Sequence, residues 1–205
     1  VKGLLYKEIC MFKPQLKSWA MVLVIFAVYG VIFRNVSMIL MMTSMLGLMA
    51  CFNSFSYDKQ FHCNEYLAAM PVSRKEMVWS KYIFMLGLDL ILSAVSLIVM
   101  AGYGLMVQDP VIEMFAGVGA VLVVTIFMQA ILMPMVYIMG IEKARYVNIV
   151  IWMLPWVLVM LFKDRLPRIE GGQIIMALKI MPFIAAVFMV VSVCISVSTF
   201  RKKDL

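Results

Sequence analysis

Six stretches of the chain are apolar almost without interruption, and short charged segments separate them. They cover Ser18–Phe33, Val36–Ser56, Tyr82–Val107, Met114–Ile141, Tyr146–Phe162 and Ile180–Phe200. A helix needs about 17–25 apolar residues to cross a bilayer, and each stretch is close to that length. Strands of a membrane barrel would alternate apolar and polar residues over about ten positions; these runs do not alternate. The pattern predicts an all-α, polytopic membrane protein: one transmembrane domain over residues 1–205, with six spanning helices.

The segments between the runs have patterns of their own. In VKGLLYKEICMFKPQLKSW, Leu5, Ile9, Phe12 and Leu16 recur at helical spacing, with Lys2, Lys13 and Lys17 off that stripe. This predicts an amphipathic helix over residues 1–17 lying flat in the membrane interface. Pro14 is expected to bend or restart it before the first span. Between the last two spans, KDRLPRIEGGQIIMALKIMP is punctuated by Gly171 and Gly172, and Ile174–Met181 predicts a short apolar helix dipping back at the outer face. The longest loop, Tyr57–Lys81, divides in two. A short helix is expected from a cap at Asp58 to Pro71, because the residue before a proline is pushed out of helical geometry. Ser73-Arg74-Lys75-Glu76 then matches a capping box that opens a helix running into the third span.

Composition sharpens this picture. At 65% apolar the chain lies well above a soluble domain. A net charge of +7 would suit nucleic acid, but its distribution favours another reading. Six spans put both termini on one side. Of the 18 basic residues only Arg34, Lys163, Arg165, Arg168 and Lys179 fall on the other. The positive-inside rule then puts the N- and C-termini in the cytoplasm, with the basic residues anchored at the anionic leaflet. No basic patch is interleaved with exposed aromatics, so nucleic acid is not an expected partner.

Few residues carry chemistry. No G-x-x-x-x-G-K-[ST] loop is present, so this chain is not expected to hydrolyse ATP, and no H-E-x-x-H suggests a metalloprotease. The single histidine, His62, stands beside Cys63, but zinc sites commonly use four ligands in paired spacings; an ordinary loop histidine and no metal site are expected. Cys10, Cys51, Cys63 and Cys194 form no C-x-x-C pair and are read as small hydrophobes without a disulfide framework. Asp89 lies well inside the third span and Gln129 inside the fourth. Intramembrane polar groups are functional candidates by default, so both are candidate polar residues of a pathway; the alternative is pairing between helices. The 22 methionines either line an adaptable surface for greasy partners or fill gaps between helices.

The combination of SFSYDK, then EYLAAMPVSRKEMVWSKY, then a greasy span resembles the permease subunits of type-2 ATP-binding-cassette exporters, with support from GIEKARY and the FRKKDL tail. The resemblance extends over essentially the whole chain. More narrowly it is similar to the minimal six-span branch that includes permeases for phenol-soluble modulins. It lacks the sizeable outer domains of larger relatives. The resemblance implies a connecting helix at the N-terminus and a coupling helix after the second span that docks on a separate cytosolic ATPase. By position the docking role falls on Glu65, Tyr66, Leu67, Pro71, Ser73 and Arg74. It further implies ATP and Mg bound by the ATPase, no cofactor in this chain, and a pathway built with a second copy or a related permease. The location would be the bacterial plasma membrane, and the cargo hydrophobic or amphipathic, peptides above all. The alternative is the substrate-binding subunit of an energy-coupling-factor importer, which couples through small-residue faces on the first span. Here that span offers Ala20, Ala27 and Gly30 without a dominant small-xxx-small repeat, and the 57–81 loop is long.

Overall fold

The computed structural model describes residues 2–33, 36–68, 73–107, 111–162 and 171–202. These form α1 (Lys2–Ile32), α2 (Val36–Gln60), α3 (Cys63–Ala68), α4 (Arg74–Val107), α5 (Val111–Met139), α6 (Ile141–Phe162) and α7 (Gly171–Lys202), with no strand among them. Within lipid a helix is the one open-ended structure that satisfies its own backbone, which is why the apolar runs fold this way. Among the described residues five segments are long and apolar enough to cross a membrane: Gly3–Gly30, Ile39–Gln60, Arg74–Gly102, Ala116–Met139 and Ile180–Phe200. The remaining expected span, Tyr146–Phe162, lies in helical α6, but most of its side chains fall outside the described residues.

Helix α5 is the hub, packing against α2, α4, α6 and α7, while α4 also contacts α1, α2 and α7. One continuous core joins Phe12, Cys51, Val78, Tyr82, Met85, Met133, Tyr137, Ala144, Met189 and Val193. Lipid-type surface surrounds it: Met21, Val24 and Val28 on α1, Ile91 and Ile98 on α4, and Phe183 and Val190 on α7 are exposed. Met85 and Met133 are fully buried, as gap-filling between helices requires, while Met41, Met45 and Met49 are exposed.

Three expectations need correction. Helix α1 runs through Pro14 without a restart; a proline removes one backbone hydrogen bond, and membrane helices tolerate that loss. The face of this helix packed into the protein is Leu4, Glu8 and Phe12, one helical turn apart, while Ile9 and Leu16 are exposed. Helix α7 likewise passes through Pro182, so Ile174–Met181 is the first part of a long helix rather than a separate dipping one. Helix α2 continues to Gln60, which puts Asp58 inside it and not at a cap.

Two residues in left-handed conformation make the tight corners. His62, at φ 50°, ends α2 and opens α3; histidine is among the few side chains that tolerate this region. Gly140, at φ 81°, separates α5 from α6, and there glycine carries no Cβ penalty.

Candidate functional site

The segment between α2 and α4 sits at the end of the bundle where α1 begins. After His62 turns the chain, the six residues of α3 present Tyr66 outward, 67% exposed, and turn Leu67 into the core. Ser73 and Glu76 form the expected capping box: the Ser73 backbone N–H donates to Glu76 Oε2 at 3.0 Å, and the Glu76 N–H donates to Ser73 Oγ at 3.2 Å. Two otherwise orphaned donors at the start of α4 are thereby satisfied. Arg74 donates to the Phe200 carbonyl at 3.5 Å, tying the start of α4 to the end of α7. Of the residues the resemblance implicated, Tyr66 and Leu67 lie in α3, and Ser73 and Arg74 lie at the start of α4; Pro71 and the Glu65 side chain lie outside the described residues.

Beneath this segment lies a charge cluster that sequence reading missed. Lys7 Nζ is 2.7 Å from Asp58 Oδ1 and 3.0 Å from Glu8 Oε1. Lys81 Nζ is 2.6 Å from Asp58 Oδ2 and 3.2 Å from Glu8 Oε1. Ser54 completes it, accepting from Lys81 at 2.8 Å and donating to Glu8 Oε2 at 2.7 Å. The Phe55 ring centroid lies 4.6 Å from Lys81 Nζ, within cation–π reach. Both carboxylates are 2% exposed and Lys81 6%. Two cations and two anions cancel, and each anion touches both cations. Such geometry is what offsets the desolvation of buried charge. The cluster thus binds the beginning of α1, the end of α2 and the beginning of α4 into one unit. The available signal was Glu8 at helical spacing between Leu4 and Phe12, an acid on an otherwise apolar face.

The same charges line an open cavity of about 740 Å³, together with Phe55, Leu67, Met77, Tyr137 and Phe200. On its rim Lys59 pairs with Glu142, and Arg145 donates to Ser56 Oγ at 2.8 Å, so α2 is also tied to α6. The hydrogen bond from Lys59 holds the exposed Glu142 carboxyl below its ordinary range. His62 lines this cavity too. Among the described residues no group of three or more His, Cys, Asp or Glu side chains could hold a metal ion, and all four cysteines are free thiols.

A second polar site lies deeper. Asp89 on α4 is 4% exposed and Gln129 on α5 is fully buried. Gln129 Nε2 donates to Asp89 Oδ1 and to the Gly47 carbonyl of α2, both at 3.1 Å. A Cβ added to Gly47 would lie 2.6 Å from Asp89 Oδ1 and 2.9 Å from Thr125 Cγ2. Glycine is therefore what lets α2 approach this closely. Neither Asp89 nor Gln129 lines the large cavity. Two turns nearer the start of α4, Tyr82 Oη bonds Ser192 and Ser196 of α7 at 2.6 and 2.8 Å.

Compared with known families, residues 3–201 match the model described as ABC-2 family transporter protein. Neither a curated protein nor a solved structure gives a match.

Proposed function

The chain belongs to the ABC-2 transporter family, and from that premise we propose that it is the permease of an exporter driven by a separate cytosolic ATPase. It is a multi-pass membrane protein with helical spans. In the proposed arrangement α6 supplies a sixth span, both termini face the cytoplasm, and the ATPase binds the ATP and Mg that this chain does not. A second copy or a related permease completes the pathway.

The observation that carries the reading is the construction of α3. It is short, it is seated by Leu67, and it displays Tyr66 to solvent between two fixed points, the His62 corner and the Ser73–Glu76 box. An exposed aromatic on a small, braced helix suits a docking contact, since tyrosine is enriched among residues that dominate interfaces. The charge cluster joins the neighbouring helix ends, so motion imposed at α3 would be passed to α1, α2 and α4 together. Arg74 is the weaker docking candidate, because its guanidinium already serves the end of α7.

The proposed cargo is hydrophobic or amphipathic, peptides above all. Support comes from the exposed apolar faces of α1, α4 and α7, the kind of surface an apolar cargo arriving from the bilayer would meet. The test is co-purification of the permease with its ATPase. Tyr66→Ala should insert normally yet retain at least tenfold less ATPase, a loss of about 1.4 kcal/mol or more. Undiminished ATPase retention and transport in that variant would remove the docking role of α3.

A further inference from the structure

Asp89 stands about 22 Å along α4 from Arg74, near the middle of a membrane-crossing helix. A carboxylate at that depth needs a cation or several hydrogen-bond donors. The ion pairs of the described residues all lie elsewhere. Lys81, two helical turns away on α4, is engaged by Glu8, Asp58 and Ser54. Oδ1 receives one neutral donor, Gln129 Nε2; Oδ2 is buried and has no hydrogen-bond partner.

The surroundings of the carboxyl decide what it can be. A cavity of about 10 Å³ beside it is lined by Thr43, Ser93, Ser96 and Thr125. This is at the lower limit for a single water, so bulk water does not hydrate the group. Each of these hydroxyls already donates to a carbonyl of its own helix: Thr43 to Ile39, Ser93 to Leu90, Ser96 to Leu92, and Thr125 to Val121, at 2.8–3.0 Å. Toward the cavity they offer lone pairs alone. That is a shell of acceptors, which repels an anion and suits a donor.

We propose that Asp89 is a proton-binding site: with one neutral donor on Oδ1, no cation beside it and no donor for Oδ2, the carboxyl carries a proton on Oδ2 at neutral pH. A neutral acid, rather than an anion, then joins α4 to α2 and α5. Groups facing it agree with this assignment. From α2 the Cys51 thiol is within electrostatic reach; α5 contributes the neutral Thr125 and Gln129; α7 meets α4 two turns away, through Ser192 and Ser196 at Tyr82. None supplies a cation. The proton exchanges with water only when α2, α4 and α5 part, so its release marks separation of these helices.

The test is infrared spectroscopy of the full-length permease in lipid at pH 7. A protonated-carboxyl C=O band is expected in the wild type and absent from Asp89→Asn, whose amide keeps a donor at the same place and should preserve the melting temperature. Labelling the aspartates with ¹³C must shift that band, which assigns it to one of the chain's five aspartic acids, and Asp89→Glu should keep a protonated-carboxyl band that the label no longer shifts. An unlabelled-like spectrum with no aspartic-acid band at pH 7 would overturn the proposal. So would a band that disappears when sodium replaces choline, because the site would then hold a metal cation instead of a proton.

Discussion

Replacing Lys81 by methionine probes the charge cluster at its least exposed cation. The change keeps an unbranched side chain, one atom shorter, and removes the charge that touches both Glu8 and Asp58, at 3.2 and 2.6 Å. One cation, Lys7, is then left for two buried carboxylates, and Ser54 loses a donor. Breaking a buried pair from one side costs about 3–5 kcal/mol, because the stranded charge remains desolvated. That corresponds to a more than hundredfold fall in the folded-to-unfolded ratio at about 1.4 kcal/mol per decade. Lys7→Met should cost less, since Lys7 is 22% exposed against 6% for Lys81 and water already shares its work. Adding Glu8→Gln to Lys81→Met restores neutrality and should recover much of the loss. Reversible unfolding in mixed micelles, run as a double-mutant cycle, measures the coupling. A single-variant loss under about 1 kcal/mol, the range of exposed ion pairs, or purely additive double-mutant losses would refute the view that the cluster is a desolvated, mutually dependent unit.

Two further outcomes are expected. Gly47→Ala should destabilise by about 1–3 kcal/mol, the usual cost of overpacking, because its methyl would collide with Asp89 and Thr125; a melting temperature equal to wild type would show that α2 does not need the close approach. In a variant whose other three cysteines are serine, Cys63 should react with an impermeant maleimide in inside-out vesicles and not in intact cells. Burial pushes the Cys63 thiol up from its ordinary range, so labelling should accelerate as pH rises; labelling of intact cells would reverse the proposed orientation.

What the sequence disclosed followed the range of the interactions. The Ser73–Glu76 box was legible because both partners sit within one turn, and the structure forms it. The membrane-crossing helices were legible because lipid imposes a long apolar run on each. Asp58 was misread as a cap because its partners, Lys7 and Lys81, come from helices far along the chain; Lys7 lies 51 residues away. Local pattern cannot report such a pairing. The same limit hid Gly47, whose role arises only where α2 meets α4 and α5. Pro14 misled for a different reason: punctuation rules reflect water, where a broken helix can hydrate its ends, whereas a chain in lipid keeps its hydrogen bonds by continuing.

Helix α1 is held at its foot and little elsewhere. Leu4, Glu8 and Phe12 are buried, while most positions from Lys17 onward are exposed or half-buried. Pro14 falls at the boundary between these two parts, where the helix lacks one backbone hydrogen bond. In mechanical terms it is a flexure between an anchored stub and a free mast. Ile32 lies about 27 Å beyond it, at 1.5 Å per residue, so each degree of bending carries the far end about 0.5 Å. A neighbouring helix or a change in bilayer thickness can therefore lean on the mast without straining the ion pairs at its base.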